Sequence, residues 1–397
     1  MLEAIATRVR TAPPVLVVLV LYALSRLVSS AWLGGLFVLA TDRGWEFASV
    51  RRDPGFASFS GSWDASSYRS IAQHGYPAEL PVDDAGEVRP NAWAFLPVFP
   101  AVVRGIATVL GVDLAGNAFF AIGLVVATVA GGGAAVLLHR IVAETTGPSS
   151  ALWAVALFCF GPLSFVLQVA YAESLALLLL FGGLLMMLRR RYLLMVPFGV
   201  VAAFTRPGAL ALALALAVTA LVRLRREGRA FRRRERVSVV VAGLVISAAG
   251  LAWSPIADHV TGRPGAYLDT ELAWWTGFVG RQEFVPLTPW FLMAGTWLGV
   301  AGVVLVVAVL VGAAWFLSRR STRAAGVEVV SWSASYLLYL VAVFLPQQSL
   351  PRLLMPLAPL LGHPAIAPSP RLRRVLLGGG IALQPVAVVL LWFVGYP

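Results

Sequence analysis

The sequence predicts an all-α polytopic membrane protein, a single domain over residues 1–397 with about 11 transmembrane helices. Three observations carry this. Of its 397 residues 59% are hydrophobic and only 13% charged, whereas soluble domains carry near 25% charge. The mean hydropathy is +0.82. The apolar residues form continuous runs of about 20, the length of a helical span, and not the ten-residue alternations of a membrane barrel.

The candidate spans, in order, are 14–40, 116–138, 150–168, 171–188, 192–222, 237–256, 291–317, 329–346, 353–367 and 375–395. The first is an uncleaved anchor, because its apolar run is long enough to cross and no small-residue cleavage site follows. The stretch 192–222 is too long for one helix and is interrupted by Thr205-Arg206-Pro207-Gly208, so it reads as a kinked span or a hairpin. The stretch 94–111 contains Pro97, Pro100 and Arg104 and reads as a span or as a helix in the interface.

Charge decides between these alternatives. All 31 basic residues are Arg, which suggests a GC-rich bacterial genome, and the net charge is +12. In a multi-pass chain such a balance reflects positively charged cytoplasmic loops and not nucleic-acid binding. With 94–111 at the outer interface and 192–222 a hairpin whose apex holds Arg206, eleven spans result. The clusters at Arg8 and Arg10, Arg140, Arg189 to Arg191, Arg223 to Arg236, Arg319 to Arg323 and Arg371 to Arg374 then all fall inside. The large hydrophilic segments 41–93 and 257–290 fall outside. No cytoplasmic segment is long enough for a folded domain, and no phosphate-cradling glycine loop follows a strand, so chemistry is expected at the outer face. The glycines at 131–133 and 378–380 lie within spans and allow close helix packing.

The most informative segment is SWDASSYRSIAQHGYP, residues 62–77. Read structurally, Asp64 caps a helix of about 65–73 that Gly75 ends, with Tyr68, Ile71 and Ala72 facing inward. Read functionally, Asp64 is a carboxylate bracketed by Trp63, Tyr68 and Tyr76, aromatic side chains suited to a sugar ring or the bilayer interface, with Arg69 and His74 beside it.

This run, Trp63-Asp64, Tyr68, Ile71-Ala72-Gln73, Gly75-Tyr76, resembles the first-loop signature of the PIG-V-like family, the mannosyltransferases that add the second mannose of glycosylphosphatidylinositol anchors. Three further stretches match in order: Phe95-Leu96-Pro97-Val98-Phe99-Pro100 with Arg104, Tyr171-Ala172-Glu173-Ser174-Leu175, and Thr205-Arg206-Pro207-Gly208. The match covers the first half of the chain, beyond which Leu350-Pro351-Arg352 also fits; His74 stands where the family often carries Arg or another polar residue. The resemblance implies a GT-C glycosyltransferase with an active site at the outer or lumenal face and a large first outer loop carrying short interfacial helices, which with the bacterial composition is expected in a bacterial plasma membrane. It implies a polyprenyl-phosphate sugar donor, a lipid or glycolipid acceptor, and Asp64 as catalytic acid or base.

One carboxylate suffices for such a reaction. A lipid phosphate leaves as a stabilised anion and needs compensating charge, not a general acid. A base must take the acceptor proton, and attack from the opposite side inverts the anomeric centre. For the phosphate, the Arg residues near membrane depth are candidates through their bidentate forks: Arg206 first, Arg352 second, then Arg26, with Arg104 most readily explained by snorkelling. Tyr171 and Glu173, at the outer start of a span, suit the sugar or acceptor, or a structural ion pair with Arg206. Asp83-Asp84 reads as a turn. In the second outer loop Asp269, Glu271, Trp274, Trp275, Arg281 and Glu283 line an acceptor groove or rest on the interface. The one cysteine and four scattered histidines give no metal spacing, so no bound zinc and no cofactor is expected, while dependence on a divalent metal is left open by the sequence. The competing readings are a transporter or flippase for a lipid-linked sugar, disfavoured by the lack of paired halves, and a non-catalytic glycosylation subunit, disfavoured by the presence of Asp64.

Overall fold

The computed structural model describes residues 13–45 and 55–394, and every element among them is helical apart from one isolated bridge, Val82 with Val88. Arg8 and Arg10 lie outside the described residues. The helices are α1 (Pro14–Asp42), α2 (Phe56–Ser60), α3 (Asp64–His74), α4 (Val98–Leu110), α5 (Ala118–Thr145) and α6 (Pro148–Phe160). There follow α7 (Glu173–Leu188), α8 (Tyr192–Ala203), α9 (Ala209–Glu227), α10 (Arg233–Leu251), α11 (Trp253–Thr261) and α12 (Ala266–Ala273). The last are α13 (Thr276–Val279), α14 (Pro289–Ser318), α15 (Arg320–Arg323), α16 (Gly326–Val343), α17 (Leu350–Leu353) and α18 (Pro370–Val389). Among the described residues six helical stretches are long and apolar enough to cross a membrane: 14–42, 118–145, 233–261, 289–318, 326–343 and 370–394. Large aliphatic side chains such as Val129, Leu244 and Val300 stand exposed on their outer faces, as a hydrocarbon surrounding requires.

The stretch 192–222 folds as a hairpin. The α9 helix returns far enough that Arg223 Nη1 donates to the Tyr192 hydroxyl at 2.6 Å, and Arg190 pairs with Glu227 at 3.3 Å. Arg206 sits at the other end, in the break before Gly208 (φ 139°). The arginines of the short connections gather at the end away from Arg206: Arg189 pairs with Glu144 at the close of α5, and Arg373 lies over the Trp153 ring, 4.6 Å from its centre.

The stretch 94–111 contains only the thirteen-residue α4, about 20 Å long, short of a hydrocarbon core of about 30 Å. It buries Phe99, Val103 and Ala107 while Val109 and Arg104 are exposed.

A single α-helix was expected at 353–367, and the structure differs. The one-turn α17 is followed by a 3₁₀ helix over Met355–Gly362, because Pro356 and Pro359 carry no N–H for an α ladder. At about 2.0 Å per residue these eight residues reach about 16 Å. They lead from Arg352 down to Gly362, which is packed against Val142 and Thr146 near the far end of α5. Trp332 Nε1 donates to Pro356 O at 2.9 Å. Such irregular backbone is tolerated among apolar helices only where protein covers it.

The segments before α4 and around α12 are joined. Asn91 Nδ2 donates to Thr270 Oγ1 at 2.9 Å, Trp253 Nε1 donates to Trp93 O at 3.0 Å, and Arg281 pairs with Asp83 and Glu87. Asp83 is a turn residue, its Oδ1 accepting the N–H of Ala85 and of Glu87. Those backbone donors, with Arg281 and Arg89 nearby, hold its carboxyl below the ordinary range.

Candidate active site

The α3 helix starts at Asp64, and the residue before it, Trp63, has φ 58° and ψ −118°. A bulky residue in that region costs on the order of 1–3 kcal/mol, a strain typical of functional turns. The expectation that Asp64 caps its helix is overturned: Trp63 occupies the N-cap position and no side chain caps the helix. The carboxylate of Asp64 turns to Arg352 instead. The turn is fixed from below by the Tyr171 hydroxyl, which donates to Ser62 O at 2.8 Å. The expected inner face is present, with Ala65, Tyr68, Ile71 and Ala72 buried and the Tyr68 ring edge-on to Phe95 and Phe99. Gly75, at φ 77°, follows the last turn.

Four charged residues from distant parts of the chain converge. Arg352 Nη2 lies 2.6 Å from Asp64 Oδ2, and its Nη1 lies 2.6 Å from Glu173 Oε1. Arg206 Nη1 reaches the same Glu173 oxygen at 3.0 Å. The Arg352 guanidinium lies 5.1 Å from the centre of the Tyr171 ring, which stacks on Trp392. Glu173 stands in the first turn of α7, where the helix dipole favours an anion. Arg352 and Glu173 are 4% and 3% exposed, against 17% each for Arg206 and Asp64. Two cations and two anions balance, which a buried cluster of this kind needs to offset desolvation.

The cluster borders a cavity of about 370 Å³ whose walls include Asp64, Tyr68, Arg206, Glu271, Trp275 and Tyr339. Arg206 thus meets the cavity directly, while Arg352 stands behind it as the bridge between the two carboxylates. On the other side of α17 lies an apolar groove of about 940 Å³, whose walls include Leu157 of α6, Leu357 of the 3₁₀ helix 355–362 and Leu383 of α18, with Leu354 and Leu390 beside them; Ser164, Gln347 and Gln348 are its polar members.

The other expected site residues divide between the cluster and more distant parts of the fold. Trp63 and Tyr171 adjoin the cluster, the first through backbone geometry and the second through its ring. Arg69 donates to Gly116 O at 3.3 Å and packs over Phe120, and His74 is exposed at the end of α3. Tyr76 donates to Phe95 O at 2.7 Å and packs between Trp93 and Trp253. Arg26 is buried between α1 and α6, donating to Ser164 O at 2.6 Å and Cys159 O at 3.1 Å. It satisfies carbonyls freed around Gly161 and Pro162, where α6 ends, and those contacts hold it apart from the four-residue cluster.

Of the residues singled out in 257–290, Glu271 and Trp275 line the cavity. Burial pushes the Glu271 carboxyl up to about 7, against the opposing pull of Tyr267 and Arg206. Its sequence signal was weak: an acid one turn after an aromatic on a short helix.

Among the described residues the fold and site together define a helical membrane-type architecture with six potential membrane spans and a buried cluster of two arginines and two carboxylates beside an aromatic-lined cavity. No family model matches the chain, and no curated protein matches its sequence. The resemblance to the PIG-V-like family rests on the motifs quoted above.

Proposed function

We propose that the protein is an inverting glycosyltransferase of GT-C type, with eleven spans, at the extracytoplasmic face of a bacterial plasma membrane. It moves a sugar from a polyprenyl-phosphate carrier to a hydroxyl of a lipid or glycolipid acceptor. The sugar, mannose, comes from the resemblance to the PIG-V-like family. The observation that supports the reading is the convergence of Asp64, Glu173, Arg206 and Arg352, each from one of the matching motifs, at a cavity flanked by an apolar groove.

The groove suits the isoprenoid chain, which gains by leaving water or by packing against Leu and Val. Arg206 offers its remaining donors to the carrier phosphate, with Arg352 behind it adding a fixed positive charge. As the acceptor oxygen attacks the anomeric carbon, the carbon–phosphate oxygen bond breaks, the electron pair leaves with the phosphate, and the acceptor proton passes to a carboxylate in the cavity. The gathering of arginines at the opposite end supports a cytoplasmic position for that end and an outer position for the cavity.

The test is to incubate purified protein with radiolabelled polyprenyl-phosphate mannose and a total lipid extract of the source organism. Transfer of label to a new lipid supports the reading. Label that crosses the membrane of proteoliposomes still attached to its carrier supports a flippase instead.

A further inference from the structure

We infer that Glu271 is the general base that takes the proton of the acceptor hydroxyl, and that Asp64 acts by holding Arg352 in place. The inference rests on the transferase reading and says which of its carboxylates handles the proton.

Two carboxylates line the cavity, Asp64 and Glu271. Asp64 is committed to the permanently charged guanidinium of Arg352 at 2.6 Å. Protonating it would remove half of the anionic charge that fixes Arg352, at the moment when the phosphate most needs that cation. Glu173 is more deeply committed, since one oxygen serves both guanidiniums and the side chain is 3% exposed. Glu271 makes no ion pair among the described residues and faces the cavity from α12.

The position of α12 is well defined. Gly265 enters it at φ 79°, the Asp258 carboxylate accepts the N–H of Ala266 at 3.0 Å, and Asn91 holds Thr270. A base must be held in place to meet its proton, and these contacts supply that. The titratable and charged groups facing Glu271 are Tyr267 one turn earlier on α12, Tyr339 from α16 and Arg206 from the break between α8 and α9. The acid on the adjoining α11, Asp258, is turned to the backbone of Ala266 instead. Burial is the largest influence and raises the carboxyl to about 7, where a base is both ionised and competent near neutrality.

The step balances. The acceptor O–H proton goes to a Glu271 carboxylate oxygen, the acceptor oxygen bonds to the anomeric carbon, and the bond from that carbon to the phosphate oxygen breaks. Polyprenyl phosphate leaves with the electron pair, and Glu271 later returns its proton to water.

The experiment measures kcat against pH, from 5 to 9, for wild type, Glu271→Gln, Glu271→Asp and Asp64→Asn, with radiolabelled polyprenyl-phosphate mannose and the lipid extract as acceptor. The expected result is a wild-type kcat that rises about tenfold per pH unit to a bend near 7 and is level above it. Glu271→Gln lowers kcat at least 100-fold and abolishes the bend, with donor KM unchanged within twofold. Glu271→Asp keeps the bend and part of the rate, and Asp64→Asn keeps the bend but raises donor KM. Wild-type kcat and an unaltered bend in Glu271→Gln overturn the assignment while the transferase reading stands. Absence of transfer by folded wild type overturns both.

Discussion

Arg352 Nη2 and Asp64 Oδ2 lie 2.6 Å apart although 288 residues separate them in the chain. The pair joins the strained turn at Trp63 to the one-turn helix between the cavity and the apolar groove, so the positions of both depend on it.

Asp64→Asn should leave insertion and the helical fold intact while reducing transfer at least 100-fold, through loss of the charge that orients Arg352. The comparison is label transfer per molecule eluting as folded protein from size-exclusion chromatography in detergent. Near-normal transfer by the variant would remove Asp64 from the site.

Arg352→Met leaves Asp64 and Glu173 as partly uncompensated buried charges. Breaking such a pair from one side costs about 3–5 kcal/mol, enough to lower the thermal unfolding midpoint by several degrees. Arg352→Lys keeps the charge but cannot bridge both carboxylates with one planar fork, so an intermediate midpoint is expected. A midpoint for Arg352→Met equal to wild type would show that the bridge contributes nothing to stability.

Arg206→Ala removes the guanidinium that meets the cavity. Hydrogen bonds to a charged group contribute about 1.5–3 kcal/mol, so donor KM should rise about 10- to 100-fold. Donor titration at fixed acceptor checks this, and an unchanged KM and kcat would exclude phosphate contact.

Arg26→Gln should act on stability alone. Carbonyls of Cys159 and Ser164 lose a charged donor, and the unfolding midpoint falls, while kcat per folded molecule holds within a factor of about two. A specific loss of donor affinity would return Arg26 to the phosphate site.

Ala387→Trp places an indole in the apolar groove, whose wall includes Ala387. Use of a long polyprenyl donor should fall well below that of a donor shortened to two isoprene units. Equal loss for both donors would separate the groove from the lipid chain.

Much of this site was legible because its members lie in motifs of unusual composition. An arginine between a break and a proline, as in Thr205-Arg206-Pro207-Gly208, and an acid at the head of an apolar run, as at Glu173, stand out in any membrane chain. The hairpin at 192–222 was legible from its length and central break, with arginine placement deciding against a single kinked span. What could not be read was which charges would meet. Arg26 ranked only behind Arg352 as a phosphate candidate, because local sequence does not reveal that α6 stops at Gly161 and leaves carbonyls in need of a donor. The reading of Asp64 as a cap failed because helix-start rules are local, while its actual partner lies 288 residues away. The 3₁₀ passage at 355–362 was signalled by Pro356 and Pro359, but hydropathy is blind to the pitch of the backbone. Glu271 became distinct from the other acids of its segment only once α12 was placed against the cavity.

The electrical balance of the cluster bears on how a spent carrier would depart. The two guanidiniums are matched in charge by Asp64 and Glu173, so the four-residue cluster carries no net positive charge. Before transfer the carrier phosphate is a diester with one negative charge. Afterwards it is a monoester approaching two, given a second ionisation near pH 6. That added charge exceeds what a cluster of zero net charge can offset and is better solvated at the membrane surface. Turnover in this pocket would therefore be self-clearing: the chemistry that makes the product also weakens its hold.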